Sequence, residues 1–169
     1  MAHLRFEFLM PADASTVFDS FHYHHWRVRW DSLVKNTAVV GGAPCPFVGA
    51  VTESTGGGLL RGLAMRTQFV SFDRPHVAAA AMVGRSFPFV RWAASMRHRQ
   101  IQAQQSVLIY TYTFDAGPPG LRWLMKPIVA RFFNHQTRKR FARLHHFLAA
   151  HAPEVIAWQE CQKQQNPAT

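Results

Sequence analysis

From Leu121 to about His151 the chain carries one long helical pattern, the longest element in the sequence. Val129, Phe133, Thr137, Phe141, Leu144 and Leu148 step by three or four and gather on one mostly apolar face, while Arg131, Arg138 and His145 fall on the other side. A helix with a single apolar stripe has to bury it, and here that face can pack on a sheet. Pro127 either kinks the helix or marks the first turn of its main segment.

The sheet is written upstream. Leu4, Phe6, Phe8 and Met10 alternate with Arg5 and Glu7, the period-two signature of a half-buried strand. Pro11 ends that strand, Asp13 reads as an N-cap, and Val17, Phe18 and Phe21 give Ala14 to Phe21 a helical spacing. A connection rich in His and Trp follows, His22 to Asp31. Between Val34 and Asp115 lies strand material cut by turns at Gly41-Gly42-Ala43-Pro44, Gly56-Gly57-Gly58, Asp73-Arg74-Pro75 and Gln104-Gln105. Leu63, Met65, Thr67 and Phe69 share one face of a strand. Trp92, Ala94, Met96 and His98 share another, with arginines on the opposite side. Val107 to Asp115 is the clearest strand, β-branched on one side and carrying Leu108, Tyr110, Tyr112 and Phe114 on the other.

At 169 residues, 48% of them hydrophobic and 14 of them Phe, the chain suits one domain with a substantial core. That domain is expected over residues 1–152. After Pro153 a short apolar remnant, Val155 to Trp158, gives way to polar residues expected to form a C-terminal tail, 153–169. No apolar run approaches the roughly 20 residues of a membrane span, and the first ten residues lack a secretory pattern, so a cytoplasmic protein is expected. Cys45 and Cys161 stand far apart and read as two unpaired thiols. The formal charge of +10 should attract anions. Because no acid occurs between Asp73 and Asp115 or between Asp115 and Glu154, carboxylate chemistry is poorly supplied.

The order of elements, an opening strand, a short helix, a six-strand run and one long amphipathic helix, resembles the START-like helix-grip superfamily. Lipid transfer domains, birch-pollen-allergen-like proteins, coenzyme Q-binding proteins and polyketide cyclases belong to it. Pro11 to Asp19 looks like that family's first strand-to-helix junction, and Trp26-Arg27-Val28-Arg29-Trp30-Asp31 like its Trp-Asp segment before the second strand. The resemblance covers roughly Leu4 to Ala150. It implies an α+β fold in which a curved seven-stranded antiparallel sheet wraps the long C-terminal helix, with a short helical segment after the first strand and a cavity between sheet and helix.

Folding the sheet around the helix would bring Met65, Trp92, Met96, His98, Tyr110, Tyr112, Phe133 and Thr137 onto surfaces that face each other, and these are the candidate ligand-binding residues. They could instead fill a closed core. Four of them, His98, Tyr110, Tyr112 and Thr137, need hydrogen-bond partners once dry, which a ligand or trapped water would supply, and that favours a cavity. His22, His24 and His25 lie close together, as do His145 and His146, but no Cys or Glu spacing completes a metal set. No nucleophile elbow, phosphate-binding glycine loop or dinucleotide fingerprint is present, so no cofactor is expected.

The leading expectation is therefore binding or transport of a hydrophobic small molecule: a lipid, a quinone or a polyketide-like ring. The alternative is a cyclase or dehydratase in which His98 moves a proton while Tyr110 or Tyr112 polarises a carbonyl. An adaptor with a solid core is a third possibility. The basic helix face, Arg131 and Arg138 above all, points either to an anionic membrane surface or to nothing beyond solvation. Nucleic acid fits less well, since helix-turn-helix and ribonucleoprotein signatures are both missing.

Overall fold

In this computed structural model, residues 2–57, 64–118, 120 and 122–165 are described. Leu63, Gly58 of the predicted glycine turn, Pro119, Leu121 and the sequence end beyond Gln165 lie outside them. The elements run β1 (Ala2–Met10), α1 (Ala14–His22), α2 (His24–Arg27), β2 (Val34–Val39), β3 (Val51–Gly56), β4 (Ala64–Asp73), β5 (Val77–Met82), β6 (Phe89–Gln102), β7 (Gln105–Ala116) and α3 (Arg122–Gln165). The seven strands form one antiparallel sheet in the order β1-β7-β6-β5-β4-β3-β2. The fold is thus the expected helix-grip, with a curved sheet holding one long helix.

Local chemistry accounts for most boundaries. Asp13 Oδ1 accepts from the backbone N–H of Ser15 and of Thr16, at 2.9 and 3.0 Å, and so caps α1. Along β7 every second residue from Ser106 to Phe114 is buried, as its alternation predicts. Register shifts at Phe69/Ser71, Phe89/Arg91 and Gln100/Gln102 mark bulges, which bend long strands and help the sheet curl. Gly117, at φ 80°, turns the chain out of β7, and a Cβ there would stand 2.7 Å from the Met125 sulfur.

Three expectations need correction. The His-rich connection contains a helical turn, α2, because Tyr23 and His24 carbonyls accept the N–H groups of Arg27 and Val28. A further turn at 83–88 separates β5 from β6. Most consequential, α3 does not end near His151, and residues 153–165 are not a loose tail. The helix passes through Pro153 and is 44 residues long. Proline there forfeits the hydrogen bond to the Ala149 carbonyl, at a cost of about 3 kcal/mol. Contacts further on offset it: Val155 is wholly buried, Trp158 packs edge-on against Tyr23 with centroids 4.5 Å apart, and Gln159 Nε2 donates to Asp19 Oδ2 at 2.5 Å.

Phe141, Leu144, Leu148 and Val155 close the main core against Phe6, Met10 and Leu108. A smaller cluster, Phe18 with Phe69 and Ala78, sits between α1 and the middle of the sheet. Among the described residues no helix is long and apolar enough to cross a membrane.

Candidate ligand cavity

A cavity of about 210 Å³ separates the concave face of β3–β7 from the first half of α3, with α1 and α2 closing one end. Its origin can be read from β5, whose sequence is Val-Ala-Ala-Ala-Ala-Met. Ala78 and Ala80 line the space, and Ala80 pairs with Ala94 of β6, which lines it too. Methyl groups at these positions leave unfilled the volume that the aromatic side chains of β7 would take. The sequence reading passed over this alanine run, which is the clearest signal for an internal space.

Seven of the eight candidate residues line this cavity. Met65 comes from β4, Trp92 and Met96 from β6, Tyr110 and Tyr112 from β7, and Phe133 and Thr137 from one face of α3. The Tyr112 hydroxyl donates to Asn134 Oδ1 at 2.9 Å. Burial, and secondarily the neighbouring Tyr110, pushes its phenol up to about 12.

His98 is the exception. It continues the inward face of β6, but α1 covers that end of the strand, and the ring lies edge-on to Phe18 with centroids 5.4 Å apart. Both ring nitrogens are buried without a hydrogen-bond partner among the described residues, and burial holds the imidazole near 3, so it is neutral. It is not among the residues that line the cavity.

The histidine on the cavity wall is His22, at the last position of α1. Its Nδ1 lies 2.9 Å from the Phe18 carbonyl, which can only accept, so Nδ1 carries the proton and Nε2 is the basic atom. Burial, the largest effect, keeps this ring well below the ordinary histidine range. His25 packs on Trp26 and Trp158, neither it nor His24 lines the cavity, and among the described residues no three His, Cys, Asp or Glu side chains gather as a metal site.

Sequence reasoning placed Arg140 beside the apolar stripe, toward the cavity mouth, but missed the charged cluster it joins there. Arg27 of α2 and Arg140 of α3 both line it, and both bind Asp31 Oδ2: Arg27 Nε at 2.9 Å, Arg140 Nε at 3.0 Å with its Nη2 as a second donor. Each guanidinium also lies over the Phe21 ring, 4.7 and 4.8 Å from its centroid. Asp31 is 1% exposed in its side chain, against 15% for Arg27 and 13% for Arg140. Burial alone would raise this carboxyl, but Arg140 and then Arg27 hold it below its usual range. The expectation that carboxylates are poorly supplied is qualified by two buried ones, Asp31 here and Asp19 under α1. Both are neutralised by arginine and neither is free to act as a base, Asp19 receiving Arg74 Nε and Nη2 at 2.7 Å each. The Trp26 to Asp31 segment held the only signal. Trp30 Nε1 donates to the Ser20 carbonyl at 2.9 Å and helps fix Asp31 in place.

Residues 1–146 match the family model described as polyketide cyclase / dehydrase and lipid transport. No curated protein matches by sequence. Among solved structures, the di-domain ARO/CYC BexL of the BE-7585A biosynthetic pathway superposes with a TM-score of 0.71 at 12% identity, over 89% of this chain and 47% of that one. Norcoclaurine synthase from Thalictrum flavum, solved with dopamine and hydroxybenzaldehyde, gives 0.62 at 10% identity over 89% and 87%. A protein from Thermus thermophilus gives 0.71 at 13% identity over 88% and 98%. At such identities these likenesses establish the fold alone.

Proposed function

The chain belongs to the polyketide cyclase / dehydrase and lipid transport family, and from that premise we propose that it binds or carries a hydrophobic small molecule, a lipid, quinone or polyketide-like ring, between sheet and α3. One observation carries the reading: alanines of β5 and β6 hold open a space whose other walls are Met65, Met96, Trp92 and Phe133. Large apolar walls around missing volume suit an adaptable apolar guest. Titration with the uncharged dye phenylnaphthylamine should give one saturable site in the wild type, abolished in Met96→Arg. Equal binding by both proteins, or by neither, would sink the cavity assignment.

Catalysis is a second reading, and its histidine is His22 in place of His98. A neutral imidazole whose Nδ1–H is tied to a carbonyl has its basic Nε2 available to take a proton from a bound guest, while Tyr110 or the guanidiniums would polarise the oxygen that gains charge. Deuterium exchange into an aromatic β-diketone, followed by NMR, tests it. His22→Gln should stop protein-dependent exchange without stopping binding; exchange that persists excludes His22 as the base.

The third component is an anionic membrane surface as the place of ligand exchange. Trp123 is 76% exposed, with Leu124 and Ile128 also bare on the first turns of α3 and Arg131 beside them. Arg138, the other basic candidate, is exposed but lies over the Phe6 ring at 5.2 Å. Apolar side chains next to basic ones suit the headgroup region of an anionic bilayer. Trp123→Ala should weaken sedimentation with anionic liposomes more than Arg138→Glu does; sedimentation indifferent to lipid charge would discard the membrane.

A further inference from the structure

The end of the cavity formed by α2 and α3 has more positive charge than its protein partners neutralise. Two guanidiniums converge there on one carboxylate, and every bond they make to it falls on the single atom Asp31 Oδ2. Asp31 Oδ1 is occupied separately, accepting from the Leu33 N–H at 3.3 Å. Each guanidinium offers five N–H donors. Neither terminal nitrogen of Arg27 donates to a described residue, and Arg140 uses only one of its two. The Tyr110 hydroxyl on the adjoining wall, in a residue only 7% exposed, likewise has no hydrogen-bond partner among the described residues.

The remaining acids of this region are engaged elsewhere. Asp19 binds Arg74 and Gln159, and Glu154 binds Arg29 and His151. His22, also on the wall, is neutral and adds no charge of either sign. Two cations and one anion in a largely buried pocket leave a charge of one unit, and an isolated buried charge is costly unless something of opposite sign faces it.

We propose that Arg27, Arg140 and Tyr110 form an anion subsite at the inner end of the cavity, so that the guest is an amphipathic acid: an apolar body with one carboxylate, phosphate or sulfonate-type head. The inference rests on the cavity reading and deepens it by naming the class of ligand. The head would accept from the unused Arg27 nitrogens and the Tyr110 hydroxyl, while the body lies against Met65, Met96 and Phe133. An oxyanion held by guanidinium N–H groups makes shorter and stronger bonds than a neutral oxygen does.

Anilinonaphthalene sulfonate and its uncharged parent, phenylnaphthylamine, share one apolar body and provide the test. Wild type should hold the sulfonate at least about tenfold more tightly. Arg27→Met and Tyr110→Phe should each weaken sulfonate binding more than phenylnaphthylamine binding and so reduce that preference severalfold, while Arg97→Gln, on the exposed face of β6, alters neither affinity. The preference should persist in about 0.5 M salt, because screening acts weakly on buried charges. Equal affinity of wild type for the two dyes, or a preference that disappears with salt or in Arg97→Gln but survives in Arg27→Met, overturns the anion subsite and leaves the cavity reading standing. Failure of phenylnaphthylamine to bind at all overturns both. If Arg27→Met does not fold, Tyr110→Phe, which deletes a single oxygen, still decides the question.

Discussion

From Phe141 onward α3 meets its surroundings with Phe141, Leu144, Leu148 and Val155, all wholly buried. One and two turns earlier the same face carries Thr137 and the half-buried Phe133, with Arg140 flanking it, and the sheet opposite supplies alanines. One helix therefore does two jobs. Its second half closes a core whose stability comes from filled volume, and its first half roofs a space kept unfilled. Stability and binding should accordingly separate along α3, with substitutions in the second half unfolding the protein and substitutions in the first half altering what it holds.

The sharpest break in that comparison comes at the C-terminal turns. Ending the chain after Ala152 removes the buried Val155, the Trp158 packing on Tyr23 and the Gln159 bond to Asp19, a loss of about 2 to 6 kcal/mol net of the penalty relieved at Pro153. Urea unfolding of the shortened protein should show this loss; an unchanged midpoint would make those turns an appendage. Next in size, Phe141→Ala should cost about 3 to 5 kcal/mol, while Phe133→Ala, facing existing space, should cost about half as much or less and lower dye affinity instead. Similar losses from the two would erase the distinction.

Acid probes the two regions through their buried imidazoles. In the unfolded chain His22 and His98 take up protons near pH 6.5, whereas the folded protein holds both well below that, His98 near 3. Between those values the unfolded state binds more protons, so stability is full above about pH 6.5 and falls as pH drops. His98 alone should cost about 2 kcal/mol by pH 5, and His22 acts in the same direction. His98→Phe should flatten this slope without loss at pH 7, since it removes two unpartnered buried nitrogens; an unaltered slope would mean that His98 does not titrate on unfolding. The smallest stability effect belongs to Ala80→Leu, expected within about 1.5 kcal/mol of wild type because the side chain enters existing space. The same substitution should abolish dye binding.

Features written in local periodicity were legible in the sequence. The alternation of β7, the apolar face of α3 and the Asp13 cap all follow from neighbours two to four residues apart; the helix-grip architecture came from the resemblance carried by the order of these elements, and seven of the eight candidate residues line the cavity it implies. His98 obeyed the same parity and still fell outside the cavity, because α1 is laid over that end of β6 and no pattern within β6 encodes the lid. The Arg27, Asp31 and Arg140 arrangement was out of reach for a related reason: Asp31 and Arg140 lie 109 positions apart, and only the folded sheet brings them together. Pro153 misled in the opposite direction. Its local rule ends helices, and tertiary contacts of Val155 and Gln159 overrode it.

The pairing of β1 with β7 has a consequence for how the chain is made. Met10 sits opposite Ser106, and Phe6 opposite Tyr110, so the earliest of the seven strands to be synthesised has its one sheet neighbour among the described residues about a hundred residues behind it. At roughly 5 to 20 residues per second, β1 waits about 5 to 20 s, with Phe6 and Phe8 unshielded, before a partner exists. During that interval the nascent protein has a hydrophobic strand without a sheet, the kind of segment that chaperones recognise and that pairs wrongly with a neighbouring chain on a crowded polysome. Ribosome-bound chains stalled before Gln105 should accordingly be cut by protease within β1, and those stalled after the whole of α3 has emerged should not. Protection of β1 in the shorter chains would point to a temporary partner for it during synthesis.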